Sequence, residues 1–292
     1  MNIFFLIAAF GAGAFGTLIG GTPTFIMTGF VALAGGIAGL AGAADLATAT
    51  MAFGSVFGPH VSFAAAAVGA AYAARKGYLK TGGADCLTAL NGFAKVDVLL
   101  VGGFAGITGF VIQWFYANVC HFDTDTVAMT VVTMGILTRL IIGKTGLFGK
   151  YEDGEKRHFF TPGQGLYNLV MGLAIGVMVS GVAMYLMQTY PAATDLIVAN
   201  YPTIFFAISA ITLIFCLTST GATTPATHHI TITCANAAVL SGNFAVGVLV
   251  AVIATFMGDF MGNVFNSHND SHIDPPALTI FPLTFIIFAL FK

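Results

Sequence analysis

The sequence predicts an all-α integral membrane protein of eight to ten transmembrane helices in two homologous halves. The halves are inverted repeats, each with a short broken or re-entrant helix. Three observations predict this. Apolar residues make up 57% of the 292 residues and charged residues only 8%, too few charges to clothe a soluble globule of this size. The 36 glycines suit helices that associate in lipid through small residues. The chain also matches itself. Residues 91–115 lie over 241–265 without a gap, sharing Gly92/Gly242, Val96/Val246, Val98/Val248, Leu99/Leu249, Phe110/Phe260 and Phe115/Phe265. Further matches follow in the same order: Pro23-Thr24 with Pro202-Thr203, His60 with His229, His121-x-Asp123 with His272-x-Asp274, and Thr130 with Thr279. Duplicated apolar halves are the usual construction of carriers and channels, which place their site where the halves meet.

The elements follow in order. Residues 3–20 form the first helix and not a removable signal, because no basic stretch precedes them and apolar sequence continues beyond. Helices are expected near 23–41, 61–76, 92–118 and 126–143, which completes a first repeat over 1–143. The polar segment 144–164 holds four of the ten basic residues and both glutamates. It is read as a cytoplasmic linker, since Lys and Arg collect on that side. The second repeat, 165–292, has helices near 165–188, 202–218, 228–240, 243–266 and 276–291. A full span needs about 20 apolar residues. The stretches 61–74 and 230–240 are shorter and follow Gly/Pro-rich breaks, as half-helices do. Whether these two cross or re-enter decides between inverted and parallel repeats. The loop after the first carries Arg75, Lys76 and Lys80, whereas 240–243 carries no basic residue. Parallel repeats would put both loops in the cytoplasm, so this asymmetry favours inversion.

The broken lead-ins are the most specific candidate site. Ser55, Gly58 and His60 in the first half correspond to Thr223, Thr224, His228 and His229 in the second. Glycine, proline and hydroxyl side chains there loosen the backbone. Unwound backbone at membrane depth is tolerated only inside protein or along a cavity. A half-helix N-terminus offers free amides to an anion, and neutral imidazole can bond a solute or pass a proton. Asp259 lies deep in an apolar helix beside Phe256, Met257, Phe260 and Met261, which makes it a candidate proton or cation site. Asp97 follows Lys95 near a helix start and is read as mainly interfacial. His268, Asp270, His272 and Asp274 have the ligand types of a Zn²⁺, Ni²⁺ or Mn²⁺ site. Helix capping by Asp274, and by Asp123 or Asp125 in the other half, competes with that reading.

The net charge of -2, without a basic run, argues against nucleic acid. The scattered Cys86, Cys120, Cys216 and Cys234 give neither a disulfide framework nor a thiolate metal site. No GxSxG, HExxH or phosphate-loop motif occurs. The expectation is therefore a non-enzymatic secondary transporter in the cell (inner) membrane. It would carry a small polar or anionic solute coupled to H⁺ or Na⁺, with no cofactor beyond Na⁺ or a divalent metal. Its partners would be the solute, the bilayer and, compatibly, further copies of the chain. A passive channel, and a metal-dependent membrane enzyme or divalent-metal transporter using residues 268–274, are the alternatives.

Overall fold

The computed structural model describes residues 2–43, 46–152, 154–218 and 224–292, which form helices and no strand. The helices are α1 (Ile3–Ile19), α2 (Gly21–Leu40), α3 (Ala64–Arg75), α4 (Val96–Asn118) and α5 (Thr126–Ile141), then α6 (Gly165–Thr189), α7 (Thr194–Thr212), α8 (His228–Ser241), α9 (Phe244–Phe265) and α10 (Pro275–Phe291). Short side chains open several of them. Asn2 accepts from the Phe4 amide, Asp125 from Ala128, Asn243 from Ala245 and Asp274 from Ala277, at 2.8–2.9 Å. Each bond occupies a backbone donor that the first helical turn leaves free. Asp125, not Asp123, is thus the cap that corresponds to Asp274, and the expected His121/His272 register moves by two residues.

One boundary departs from expectation. The sequence places the start of the seventh helix at Pro202, but α7 begins at Thr194 and Pro202 sits inside it. Proline fits a first helical turn, which suggested the later start. In an apolar bundle the neighbouring helices steady the interrupted turn instead. Tyr201, 1% exposed, donates its hydroxyl to the Val179 carbonyl on α6 at 2.5 Å.

Among the described residues, five helices are long and apolar enough to cross a membrane: α2, α4, α6, α9, and α7 with its flanking 3-10 turns. Outward faces carry bare apolar side chains, among them Phe4 at 73%, Leu166 at 75% and Ile141 at 76% exposed. Such a surface belongs against lipid.

Inside, α1 lies antiparallel on α4, with Gly13 against Gly102 and Gly106, as α6 lies on α9, with Gly172 against Val252 and Gly176 against Val248. Small residues let these backbones approach closely. Helix α2 lies antiparallel on α7: Gly29 meets Ala207 and Ala210, Gly36 meets Ile204, and Gly39 meets Asn200. Helices α5 and α10 are also antiparallel. Gly135 lies against Ile273, while Thr124 at the other end of α5 bonds Thr284 at 2.9 Å.

The connections sort into two ends. Lys150 N donates to His268 O at 2.8 Å, Asp270 accepts from Lys144 N and Thr145, and Gly83 packs on Asp270. Residues 76–95, 144–164 and 266–274 therefore share one end, here called the linker end. Lys292 pairs with Asp123 at 2.8 Å at the far end, where α8 also turns into α9 through residues 241–243. Buried Arg139 ties the linker end together. Its guanidinium donates to Ser271 Oγ at 2.6 Å, Ser271 O at 2.5 Å, Phe265 O at 3.1 Å and Leu147 O at 3.2 Å.

The two short helices start partway through the bundle. A π turn, Pro59–Phe63, leads into α3 and sets the His60 carbonyl against Gly109 of α4, where a Cβ would not fit. The His229 ring sits likewise against Gly258 of α9. Gly109 and Gly258 lie 13 and 14 residues from the starts of their helices, about 20 Å along each at 1.5 Å per residue. Both short helices thus begin near mid-depth, as their Gly/Pro-rich lead-ins foretell.

Candidate functional site

At the start of α8, the His228 ring lies 4.7 Å from Phe25 of α2 at a tilt of 48° and meets Phe206 edge-on at 5.8 Å. His229 stands perpendicular to it at 6.1 Å. Both rings line a cavity of about 680 Å³ among α2, α6, α8, α9 and the head of α10, reached by linker-end residues such as Cys86, Leu87 and Ser267. His228 and His229 are 5% and 7% exposed, and the Nδ1 of each lacks a hydrogen-bond partner among the described residues. A buried polar atom left unpaired costs on the order of 1–3 kcal/mol.

Asp259 forms one polar wall. Its carboxylate accepts from Thr161 Oγ1 at 2.6 Å, Thr161 N at 3.1 Å, Asn168 Nδ2 at 3.1 Å and Asn263 Nδ2 at 2.9 Å. The apolar side chains that flank it in sequence turn elsewhere: Phe260 packs on Phe159 and Phe160, and Phe256 on Phe160. Asp259 is therefore a hydrogen-bonded cavity acid and not one enclosed by Phe and Met. Asn263 lies one turn beyond it on the same helix face.

His272 and Asp274 form a second polar patch of the lining, with Nε2 3.1 Å from Asp274 Oδ1. Asp274 Oδ2 caps α10, and Asn266 Nδ2 lies 3.2 Å from His272 Nδ1. One tautomer satisfies both contacts: Nε2–H donates to Asp274 while Nδ1 accepts from Asn266. Phe25, Phe63, Met171 and Leu213 are apolar members of the lining. The lining carries Asp259 and Asp274 but no Lys or Arg among the described residues.

The other expected site residues fall elsewhere. Ser55 and His60 are buried at 3% and 0% exposure near the head of α3, outside the cavity lining. The His60 ring packs against Gly58 and has no partner at either nitrogen among the described residues. Thr223 lies outside the described residues. The Thr224 carbonyl accepts from Cys216 Sγ at 3.6 Å, while Pro225 and Ala226 line the cavity. Asp97 accepts from Tyr72 Oη at 3.1 Å in the first turn of α4.

The four expected metal ligands diverge. His268 packs on Tyr151 at 4.1 Å and lies 3.3 Å from Glu155, Asp270 takes donors from the linker, and only His272 and Asp274 face each other. No group of three His, Cys, Asp or Glu set to hold a metal ion occurs among the described residues. Sequence reasoning missed Arg139, Asn168 and Asn263. The signal was present, since polar side chains inside apolar helices are costly and need partners.

The chain belongs to a family of unknown function, DUF7973, whose model matches residues 1–159 and 170–292. No curated protein and no solved structure matches it.

Proposed function

We propose that the chain is a secondary active transporter of a small polar solute, built from two inverted halves and open here toward the linker end. The observation that carries this reading is the cavity of about 680 Å³ beside the mid-depth start of α8, walled by Asp259 and two unpartnered histidines.

Several features support the inverted halves. α1 packs on α4 as α6 packs on α9, and α3 and α8 both start against the middle of the next helix. The matched helices α2 and α7 are antiparallel, as are α5 and α10. A twofold axis in the membrane plane reverses helix direction, whereas an axis along the membrane normal preserves it. Five crossings per half follow, the third discontinuous and not re-entrant. Of the ten basic residues, only Lys292 lies at the far end, so the linker end is cytoplasmic and the bilayer is the cell membrane.

Charge narrows the solute. Two carboxylates, one of them paired with His272, and no Lys or Arg on the lining favour a cationic or neutral polar molecule. An anion would have only the amides at the head of α8 to set against them. No far-end loop residue joins the lining, which favours a carrier over a passive channel. Proton or sodium coupling completes the reading.

The test is a thermal-shift screen of the purified chain against small amines, amino acids and polyols, followed by uptake into proteoliposomes under imposed proton or sodium gradients. At least one amine or neutral solute should raise Tm, and Asp259→Asn should lose that shift. Uptake should be saturable and gradient-driven. Saturation-free flux indifferent to the gradient would replace the carrier with a channel.

A further inference from the structure

A second, narrower space of about 40 Å³ separates α5 from α10. We propose that this slot is the path of the coupling proton, with Asp274 and His228 at its cavity end and Asp125 at the other. The proposal rests on the inverted-halves reading above. The walls carry matched residues of the two halves: Asp125 and Asp274, Ala128 and Ala277, Val131 and Ile280. Each pair is separated by the same 149 positions, so the slot straddles the axis relating the halves and belongs to neither alone.

Position along the helices gives it direction. Asp125 N donates to Thr284 Oγ1 at 3.1 Å, while Asp274 precedes Thr284 by ten residues on the same helix. That separation is about 15 Å at 1.5 Å per residue. Asp274 and His228 line the cavity and the slot together. Asp125 stands beyond the slot's middle, one turn of chain from the surface pair Asp123–Lys292. The slot therefore joins the linker-end cavity to a carboxyl group near the far end.

Its chemistry suits a proton better than a metal cation. About 40 Å³ has room for roughly three waters at 10–15 Å³ each. Phe25, Phe63 and Phe206 form much of the remaining wall and offer no oxygen ligands to a dehydrated ion. His228, which lines both the cavity and the slot, is the relay group between the water file and Asp274. A proton leaves the Asp125 carboxyl for the nearest water, the file delivers a proton to one nitrogen of the His228 imidazole, and the ring releases one from the other to an Asp274 oxygen. No net charge is created or lost. The other titratable groups facing His228 are His229 and, through Asp274, His272.

The full chain is tested in liposomes holding a trapped fluorescent pH dye, with an inside-negative potassium diffusion potential. The unaltered protein should acidify the lumen. Asp125→Asn and Asp274→Asn should each reduce the rate to that of protein-free liposomes, Asp125→Glu should restore it, and the exposed Asp195→Asn should match the unaltered chain. If the asparagine variants do not fold, Ala128→Leu, which fills the slot while sparing both carboxyls, should give the same loss. Unchanged proton entry in every slot variant overturns the proposal, and so does an unaltered chain no faster than empty liposomes. Thiol labelling keeps the two readings apart. Labels at residues 78 and 241 on the same membrane side remove the inverted halves, whereas labels on opposite sides with unchanged slot variants remove the proton path alone.

Discussion

Asp259 shows how far a single residue could be read in advance. An acid deep in an apolar helix flagged itself, but its donors could not be named, because Thr161 and Asn168 lie 98 and 91 positions away in sequence. Asp259→Asn keeps the shape and removes the charge. Gradient-driven accumulation by proteoliposomes should collapse while the variant still folds; undiminished accumulation would make Asp259 a packing group. Arg139 carries the opposite sign and a structural task. Arg139→Ala strips partners from the Ser271, Phe265 and Leu147 carbonyls, at about 1–3 kcal/mol for each that stays buried and unpaired. Its thermal unfolding should fall well below that of the unaltered chain, with Arg139→Lys in between, since an ammonium cannot span the same acceptors. Asp85 governs a loop at the cavity mouth. Partial burial raises its pKa, but hydrogen bonds from the Thr81 and Thr88 side chains and the Thr88 and Leu87 amides outweigh that and hold it below its ordinary value. Stability from this group is therefore complete above the unfolded-state pKa and is lost as pH falls through the lower folded one. Pepsin cleavage beside Leu87 should accelerate over that acid range, and Asp85→Asn should be cut rapidly throughout it.

Elements were easier to read than contacts. Composition and length identified the long helices, and Gly/Pro breaks identified the two short ones, because these are local properties of the chain. The start of α7 was misplaced because a proline's local preference was weighed without the neighbours that steady it. The meeting of α8 with α2 and α10 depends on packing between distant segments. Periodicity within each helix does not encode that meeting. The paired mid-helix glycines provide a test at this scale. A Cβ at Gly109 meets the His60 backbone carbonyl, which cannot swing aside, whereas one at Gly258 meets the His229 ring, which can rotate. Gly109→Ala should cost about 1–3 kcal/mol of stability, as overpacking does. Gly258→Ala should fold nearly normally and lose solute-induced thermal shift as the ring is pushed into the cavity. Equal stability losses in the two variants would contradict this difference.

At the scale of the whole molecule, the arrangement of charge was legible: basic residues gather at one end, and the structure brings 76–95 and 144–164 together there. Impermeant thiol reagents should reach cysteines placed at 78 and 150 from one side and at 241 from the other. In the 149-residue register that pairs Asp125 with Asp274 and Gly109 with Gly258, the position opposite Asp259 in the first half is Phe110, and this difference bears on energetics as well as packing. Two halves of like shape would let a carrier rest equally well facing either way. Here one half holds an acid with its set of donors, and the other holds a phenylalanine ring packed on Phe5. On the proposed carrier reading, opening the first half would expose no corresponding charge, so the two resting orientations would differ in free energy even without solute, and protonation or cation binding at Asp259 would shift their ratio. Such a carrier would thereby acquire a preferred side on which to wait.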